Sequence, residues 1–355
     1  MSSITFIFPH HSPEPAGGYK VVYEYANRLA ADGHRVNIVY SGSLFWKKKS
    51  LYFKLTNCVR YIQMLIKGYG CSKWFKLDKR VKEYLTLSLN YRHIPKSDIY
   101  ICTSPYTAMY VKDYPAENKY YFIQGYENWG GVTDKKLRET YHYPLKKIVV
   151  SNWLKRIINE ENEECQIVYN GFDFNQFKLT TPIDKKNKHL ITMVYSPISN
   201  KGCRYGFEAL NKVKEVFPEL KVTLFGSASA PQELPEWYTY HRQPDIQLHN
   251  KIYNDAAIFL APSLQEGWGL TIGEAMMCGQ AIVCTNNYGY KEMAIDNVNA
   301  LICNIKDAKS LAENIITLIR DDNLRYRIAE RGYNDIKIFN IEASYHLLKR
   351  VLKLS

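Results

Sequence analysis

Nowhere in the 355 residues does an apolar run reach the roughly 18 residues of a bilayer-spanning helix, so none is expected. The first residues enter a β-rich stretch directly, without the charged-then-apolar layout of a secretory leader. The expectation is therefore a cytoplasmic protein, at most peripheral to a membrane face. The eight cysteines (58, 71, 102, 165, 203, 278, 284 and 303) form no C-x-x-C pair and no close group with metal-ligand spacing. That argues against a disulfide framework and against a zinc site. No Asp-x-Asp and no His/Cys cluster occurs, so no metal is expected. Acidic residues are scarce beside basic ones: 35 Asp and Glu against 47 Lys and Arg leave a formal charge of +12. A balance of that sign suits an anionic partner, whether phosphate groups, an acidic lipid surface or nucleic acid. Apolar residues are not scarce. At 46% hydrophobic and 23% charged the chain is excluded from the disordered class, and its length suits two domains.

The run M-S-S-I-T-F-I-F-P (1–9) reads as a first buried strand, followed by a loop through His10, His11, Gly17 and Gly18. Val22, Tyr25, Ala26 and Leu29 then recur at helical spacing, Asp32-Gly33 closes that helix, and 36–40 reads as a second strand. Strand, Gly-containing loop, helix and strand make a right-handed βαβ unit with a parallel sheet. Further short apolar strands are expected at 99–103, 120–124 and 148–151, with a turn at Asn170-Gly171. The polar, aperiodic stretch 178–188 reads as a linker. A second series follows: strands at 189–195, 221–225, 258–261 and 281–285, and helices at 205–216, 271–278 and 309–320. The expectation is two doubly wound α/β domains, 1–177 and 189–340, and a terminal helix at 341–355, whose pattern alone does not say whether it returns to the first domain. Ligands in such sheets bind beyond the carboxyl ends of the strands, so the cleft between paired domains is the expected site.

One segment stands apart. Between 44 and 82 lie eleven basic residues and one acid, Asp78, interleaved with Trp46, Tyr52, Phe53, Tyr61, Tyr69, Trp74 and Phe75. Basic side chains mixed with rings suit an anionic membrane surface. The plainer alternative is an amphipathic helix, 51–67, that packs its apolar face on the sheet and leaves its lysines solvated. Nucleic acid is not expected, because no recognition motif accompanies the charge.

The most informative stretch is P-S-L-Q-E-G-W-G-L-T-I-G-E-A-M-M-C-G (262–279). It follows a strand and opens a helix, with Glu266 in the loop and Glu274 eight residues on, about two turns along one face. Gly267 and Gly269 permit close backbone approach, and the free amides of Leu270 and Thr271 make an anion site between two carboxylates. Carboxylates suit sugar and ribose hydroxyls. A tight turn with two solvent-facing glutamates is the bland alternative.

This block resembles the E-x7-E motif of the retaining, nucleotide-sugar-dependent GT-B glycosyltransferases of family 4. The sequels 275–285 and 296–303, and upstream V-V-S-N-W-L-K (149–155) and V-Y-N-G-F-D-F-N-Q-F (168–177), are similar to that family over nearly the whole chain. The resemblance implies the GT-B fold, two Rossmann-like domains facing across a cleft, and a nucleoside-diphosphate sugar as co-substrate, with no further cofactor. It implies that Glu266 contacts the donor sugar, Glu274 the ribose, and Leu270 and Thr271 the phosphates, with Trp268 in the same donor-binding loop. The family's basic pair is represented by Lys201-Gly202, but Ser196 stands where an Arg is usual. Either Lys201 carries the diphosphate alone or Arg204 supplies the second charge. Gly17 and Gly18 match the family's glycine-rich loop near donor or acceptor. Gln124, Tyr126 and Glu127, in Y-F-I-Q-G-Y-E-N-W (121–129), lie where many relatives place a His, and F-I-Q-x-Y-E resembles the rhamnan-synthesis branch. With His10 and His11 they are the candidate acceptor residues, though solvated loop histidines are the plainer reading of that pair. Tyr240, His241 and Arg242 are expected in a base-recognition loop. The implied reaction is sugar transfer to a hydroxyl of a glycan or lipid-linked glycan, with a deoxyhexose as the candidate sugar. A nucleotide-sugar epimerase or phosphorylase on the same fold, and a non-catalytic assembly scaffold, are the competing readings.

Overall fold

Apolar runs without polar alternation become strands buried on both faces of a parallel sheet, because helices cover both sides of such sheets. The structure, a computed structural model, describes residues 1–42, 51–70, 74–128 and 131–354, leaving aside the side chains of 51–54. The chain divides into two compact units, residues 1–169 with 345–355, and residues 170–344.

The first unit alternates β1 (Ser3–Phe8), α1 (Gly17–Ala31), β2 (Arg35–Ser41), α2 (Leu51–Lys67), β3 (Lys82–Thr86), β4 (Ile99–Cys102), α3 (Pro105–Val111), β5 (Asn118–Ile123), α4 (Asp134–Tyr141), β6 (Lys146–Val149), α5 (Asn152–Glu160) and β7 (Cys165–Ile167). The seven strands are parallel in the order β3-β2-β1-β4-β5-β6-β7. Every residue of β1 and β4 is buried. The order reverses between these two strands, so the loops that follow them lie side by side. Helix α1 turns Val22, Tyr25, Ala26 and Leu29 onto the sheet, all fully buried. It ends at Gly33, whose φ of +87° is the left-handed value that terminates helices.

The second unit alternates β8 (Asn187–Val194), α6 (Cys203–Val216), β9 (Lys221–Gly226), β10 (Tyr238–Arg242), α7 (Ile246–Asp255), β11 (Ala256–Ala261), α8 (Leu270–Met277), β12 (Ala281–Thr285), β13 (Ala300–Cys303), α9 (Ala308–Arg320) and α10 (Asp322–Asp335). Its six parallel strands run β10-β9-β8-β11-β12-β13, with the reversal between β8 and β11. Both units are thus doubly wound, Rossmann-like parallel sheets.

The polar stretch 178–188 is strapped to the second unit rather than free. Asn254 accepts from the Thr180 amide at 2.7 Å and Asn250 from the Lys178 amide at 3.0 Å. Helix α11 (Ile341–Leu352) begins in the second unit and ends in the first. There Tyr345 and Lys349 donate to Asp32 at 2.8 and 2.7 Å. The hydrogen bond from Lys349, with that from Tyr345, holds the Asp32 carboxyl below its ordinary pKa.

The membrane-facing role expected of the rings in 44–82 is corrected for four of them. Tyr61 lies against Gly42 and donates to the Leu85 carbonyl at 3.4 Å. Tyr69 packs on Tyr40, and Trp74 and Phe75 pack on Tyr23. Trp74 also donates to the Ser12 carbonyl at 2.9 Å. Trp46, Lys47, Lys48, Lys49, Cys71, Lys73 and Trp129, and the side chains of Tyr52, Phe53 and Lys54, lie outside the described residues.

Candidate active site

The reversal between β8 and β11 sets their two following loops together, the position at which open α/β sheets bind ligands. The loop after β8 ends in a short 3-10 turn, Ser199–Lys201, and enters α6 through Gly202 at φ +62°. A Cβ on Gly202 would stand 2.1 Å from the Pro262 carbonyl oxygen, so only glycine lets the loops meet. The Leu264 amide donates to the Asn200 carbonyl at 2.8 Å across the same junction. This contact brings the Lys201 ammonium to 2.7 Å from Glu266 Oε1. The Glu266 side chain is 15% exposed and that of Lys201 38%, so the pair is sheltered on the carboxylate side and open at the cation.

The loop that carries Glu266 is pinned from below. Thr285 Oγ1 and Asn287 Nδ2 both donate to the Ser263 carbonyl. Fully buried Gln280 donates to Thr192 Oγ1 at 2.8 Å and to the Ala256 carbonyl at 3.1 Å, tying β8 to β11 beneath the site. Gly269, at φ +105°, starts α8 over the buried Tyr290 ring, where a Cβ would approach to 2.6 Å. None of Gln280, Thr285, Asn287 and Tyr290 stood out in the sequence. The one local signal was the polar T-N-N (285–287) that closes an otherwise apolar strand.

Glu266 and Glu274 are not related by helical spacing. Helix α8 begins at Leu270, so only Glu274 is on it, while Glu266 is placed by the preceding loop. Glu274 is 6% exposed and accepts from the Tyr253 hydroxyl at 3.1 Å, which removes the reading of a solvent-facing glutamate. Burial, and then the Glu274 charge, push the Tyr253 hydroxyl far above its ordinary pKa. Leu270 and Thr271 form the first turn of α8, whose amides have no intrahelical acceptor. Gly267 is half-buried between Glu266 and Trp268. Trp268 is turned into the unit, 3% exposed, with its ring edge-on to Phe339 at 5.0 Å. Ser196 is occupied locally, its hydroxyl accepting from the Ile198 amide at 3.3 Å. Arg204 is exposed on α6 and donates to the Tyr205 hydroxyl at 2.8 Å. Tyr240, His241 and Arg242 close strand β10 instead of lying in a loop.

In the first unit, the reversal between β1 and β4 gathers a second set. Gln124, just past β5, donates to the Gly18 carbonyl at 3.0 Å, and a Cβ on Gly18 would stand 3.2 Å from its amide nitrogen. Gly17 is exposed at the head of α1. Tyr19 donates to the His10 carbonyl at 2.7 Å, and His10 Nδ1 donates to the His11 carbonyl at 2.9 Å, so the two histidines are built into the loop. Glu127 is half-buried as a residue, but its Oε2 is cut off from solvent and has no hydrogen-bond partner among the described residues. Burial raises its pKa from 4.5 to about 8. Its charge is felt by Tyr19, Cys102, Tyr121 and Tyr141, which places it at the inner end of this set. Tyr126 lies beside the Arg138 guanidinium. Among the described residues no group of three His, Cys, Asp or Glu is placed to hold a metal ion.

Residues 176–335, which contain β8 through α10, match the family described as glycosyl transferases group 1. The second unit is thus similar to the glycosyl transferases group 1 domain. An uncharacterized glycosyltransferase of Methanocaldococcus jannaschii is 25% identical over 206 residues, 56% of each chain. A Campylobacter jejuni N,N'-diacetylbacillosaminyl-diphospho-undecaprenol α-1,3-N-acetylgalactosaminyltransferase is 33% identical over 85 residues, 24% of this chain and 23% of its own. The chain thus spans about half the length, or less, of these curated relatives. Among solved structures, Anabaena HepE, in complex with UDP and glucose, shares the fold with a TM-score of 0.74 at 15% identity, over 99% of this chain and 100% of its own. The fold is therefore one shared with glycosyltransferases of the GT-B class.

Proposed function

We propose that the protein is a retaining glycosyltransferase of family 4 whose second unit binds a nucleoside-diphosphate sugar and whose first unit binds the acceptor. The observation that carries this reading is the Lys201–Glu266 pair at 2.7 Å, set on abutting switch-point loops at the head of α8. An ammonium and the amides of Leu270 and Thr271 converge where a departing diphosphate needs positive charge, and Glu266 stands beside them where sugar hydroxyls need an acceptor. The UDP and glucose held by the Anabaena neighbour support this ligand class.

In the reaction, the bond between the sugar C1 and the diphosphate oxygen breaks as charge builds on the phosphates, met by Lys201 and the helix amides. The acceptor hydroxyl oxygen bonds to C1 on the same face, and its proton passes to the leaving phosphate. Water must be excluded meanwhile, since it would take the acceptor's place. With Ser196 bonded locally and Arg204 on the Tyr205 hydroxyl, the reading assigns the diphosphate to Lys201 and backbone amides. The acceptor is a glycan or lipid-linked glycan, the class named for the Campylobacter relative. A deoxyhexose such as rhamnose is the proposed sugar, on the F-I-Q-x-Y-E sequence (122–127).

The test is a thermal-shift panel of UDP-, GDP- and dTDP-sugars with and without Mg2+, followed by transfer assays. A ligand at about 100 times its Kd adds about 2.7 kcal/mol to the folded state. One nucleotide class shifts the wild type without metal, and Lys201→Ala and Glu266→Ala each lose about 100-fold or more in turnover while melting as the wild type does. Near-native turnover in either variant removes its role. No shift with any donor moves the scaffold reading to the front.

A further inference from the structure

Helix α2 presents apolar residues on two opposite faces. Its inner face, through Tyr61 and Met64, packs on the first unit; Met64 is 9% exposed. At 100° per residue, Leu55, Val59, Ile62 and Ile66 fall within roughly 60° of arc on the far side. They are 57%, 55%, 52% and 80% exposed, and Leu65, at 48%, widens the stripe. An aliphatic row of this kind in water costs free energy unless something covers it. Exposed Arg60 and Lys67 lie roughly a third of a turn to one side. The surrounding segment 44–82 carries eleven bases and a single acid, and that acid, Asp78, is paired with Arg80 at 2.6 Å. A protein partner would have to be apolar and strongly acidic at once; a bilayer with anionic headgroups offers both properties in one surface. No helix among the described residues is long and apolar enough to cross a membrane, so the contact is one of lying on the surface.

We propose that the outward stripe of α2 docks into the headgroup–acyl boundary of a bilayer that carries anionic lipids, with Arg60 and Lys67 on the phosphates. The inner rings Tyr61, Tyr69, Trp74 and Phe75 hold the helix on the unit, and the aliphatic row makes the contact. This goes beyond the transferase reading and stands independently of it.

The experiment is vesicle co-sedimentation of the full chain with phosphatidylcholine alone and with vesicles that are about one-third phosphatidylglycerol. The wild type partitions to the anionic vesicles at least tenfold better. The double variant Val59→Glu/Ile66→Glu loses at least tenfold at low and high salt, because both sites are on the solvent side and the fold is kept. Arg60→Gln/Lys67→Gln loses about fivefold per residue at low salt and little at high salt. Equal binding to both vesicle types, no binding to either, or unchanged binding of the stripe variant overturns the proposal. So does a self-association in analytical ultracentrifugation that the stripe variant abolishes without any vesicle binding, which assigns the stripe to a second copy. Melting temperatures and donor-induced shifts of the variants equal to those of the wild type keep this outcome separate from the transferase assay.

Discussion

The sheltered Glu127 carboxyl makes a prediction with a definite sign. Its pKa of about 8 in the folded protein, against 4.5 ordinarily, means that the folded state holds a proton which the unfolded chain has released between those values. Folding stability from this group is therefore full below about pH 4.5 and is lost as pH rises through 8. At about 1.4 kcal/mol per pKa unit, the loss reaches at most about 5 kcal/mol above pH 8; the half-buried setting of the residue trims it to about 2–3 kcal/mol. Glu127→Gln keeps the shape and removes the titration. Urea unfolding at about pH 5 and about pH 8.5 then gives the variant a stability gain over wild type that grows by about 2 kcal/mol between the two. Parallel wild-type and variant curves across that range would refute the buried carboxyl. Donor binding serves as a control, since the second unit is untouched.

Two further outcomes follow from buried geometry. Gly202→Ala puts a side chain at φ +62° and drives a methyl toward the Pro262 carbonyl, so unfolding in urea should show a loss of about 3 kcal/mol or more, with donor binding lost too; a loss below about 1 kcal/mol would mean the two loops part freely. Lys186, buried with its ammonium on the Tyr253 and Asn254 carbonyls, has its pKa lowered by burial to about 8, so wild-type stability should rise with pH between about 8 and 10.5. Lys186→Met should lack that rise, and the same slope in both proteins would sink the assignment.

The strands that the sequence reveals and those it hides differ by their place in the sheets. The interior strands β1, β2, β4, β5, β6, β8, β9, β11 and β12 read as short apolar runs, since both their faces are covered. β3, β7, β10 and β13 do not stand out, and all four are sheet edges. K-E-Y-L-T and Y-T-Y-H-R, at β3 and β10, keep residues facing solvent, so their composition is that of a loop. Tyr240, His241 and Arg242, which the resemblance puts in a loop, end one of these edge strands.

The candidate site divides in the same way. Glu266, Glu274 and the glycines between them stand out in sequence because strand, glycine-containing loop and helix follow in one continuous stretch, and local spacing reports local geometry; Lys201 is marked only by the family resemblance. The meeting of Lys201 with Glu266, 65 residues away, depends on β8 and β11 being neighbours, which only the winding of the sheet decides. The burial of Trp268 on Phe339, the desolvation of Glu127 and the identity of the exposed face of α2 are likewise properties of packing. A tryptophan, a glutamate or an isoleucine looks the same in sequence whether its neighbours in space are water or protein. Composition and period determined that this chain forms two parallel α/β units with a basic segment; which side chains meet, and which are left facing water, was decided when those units closed around their cores.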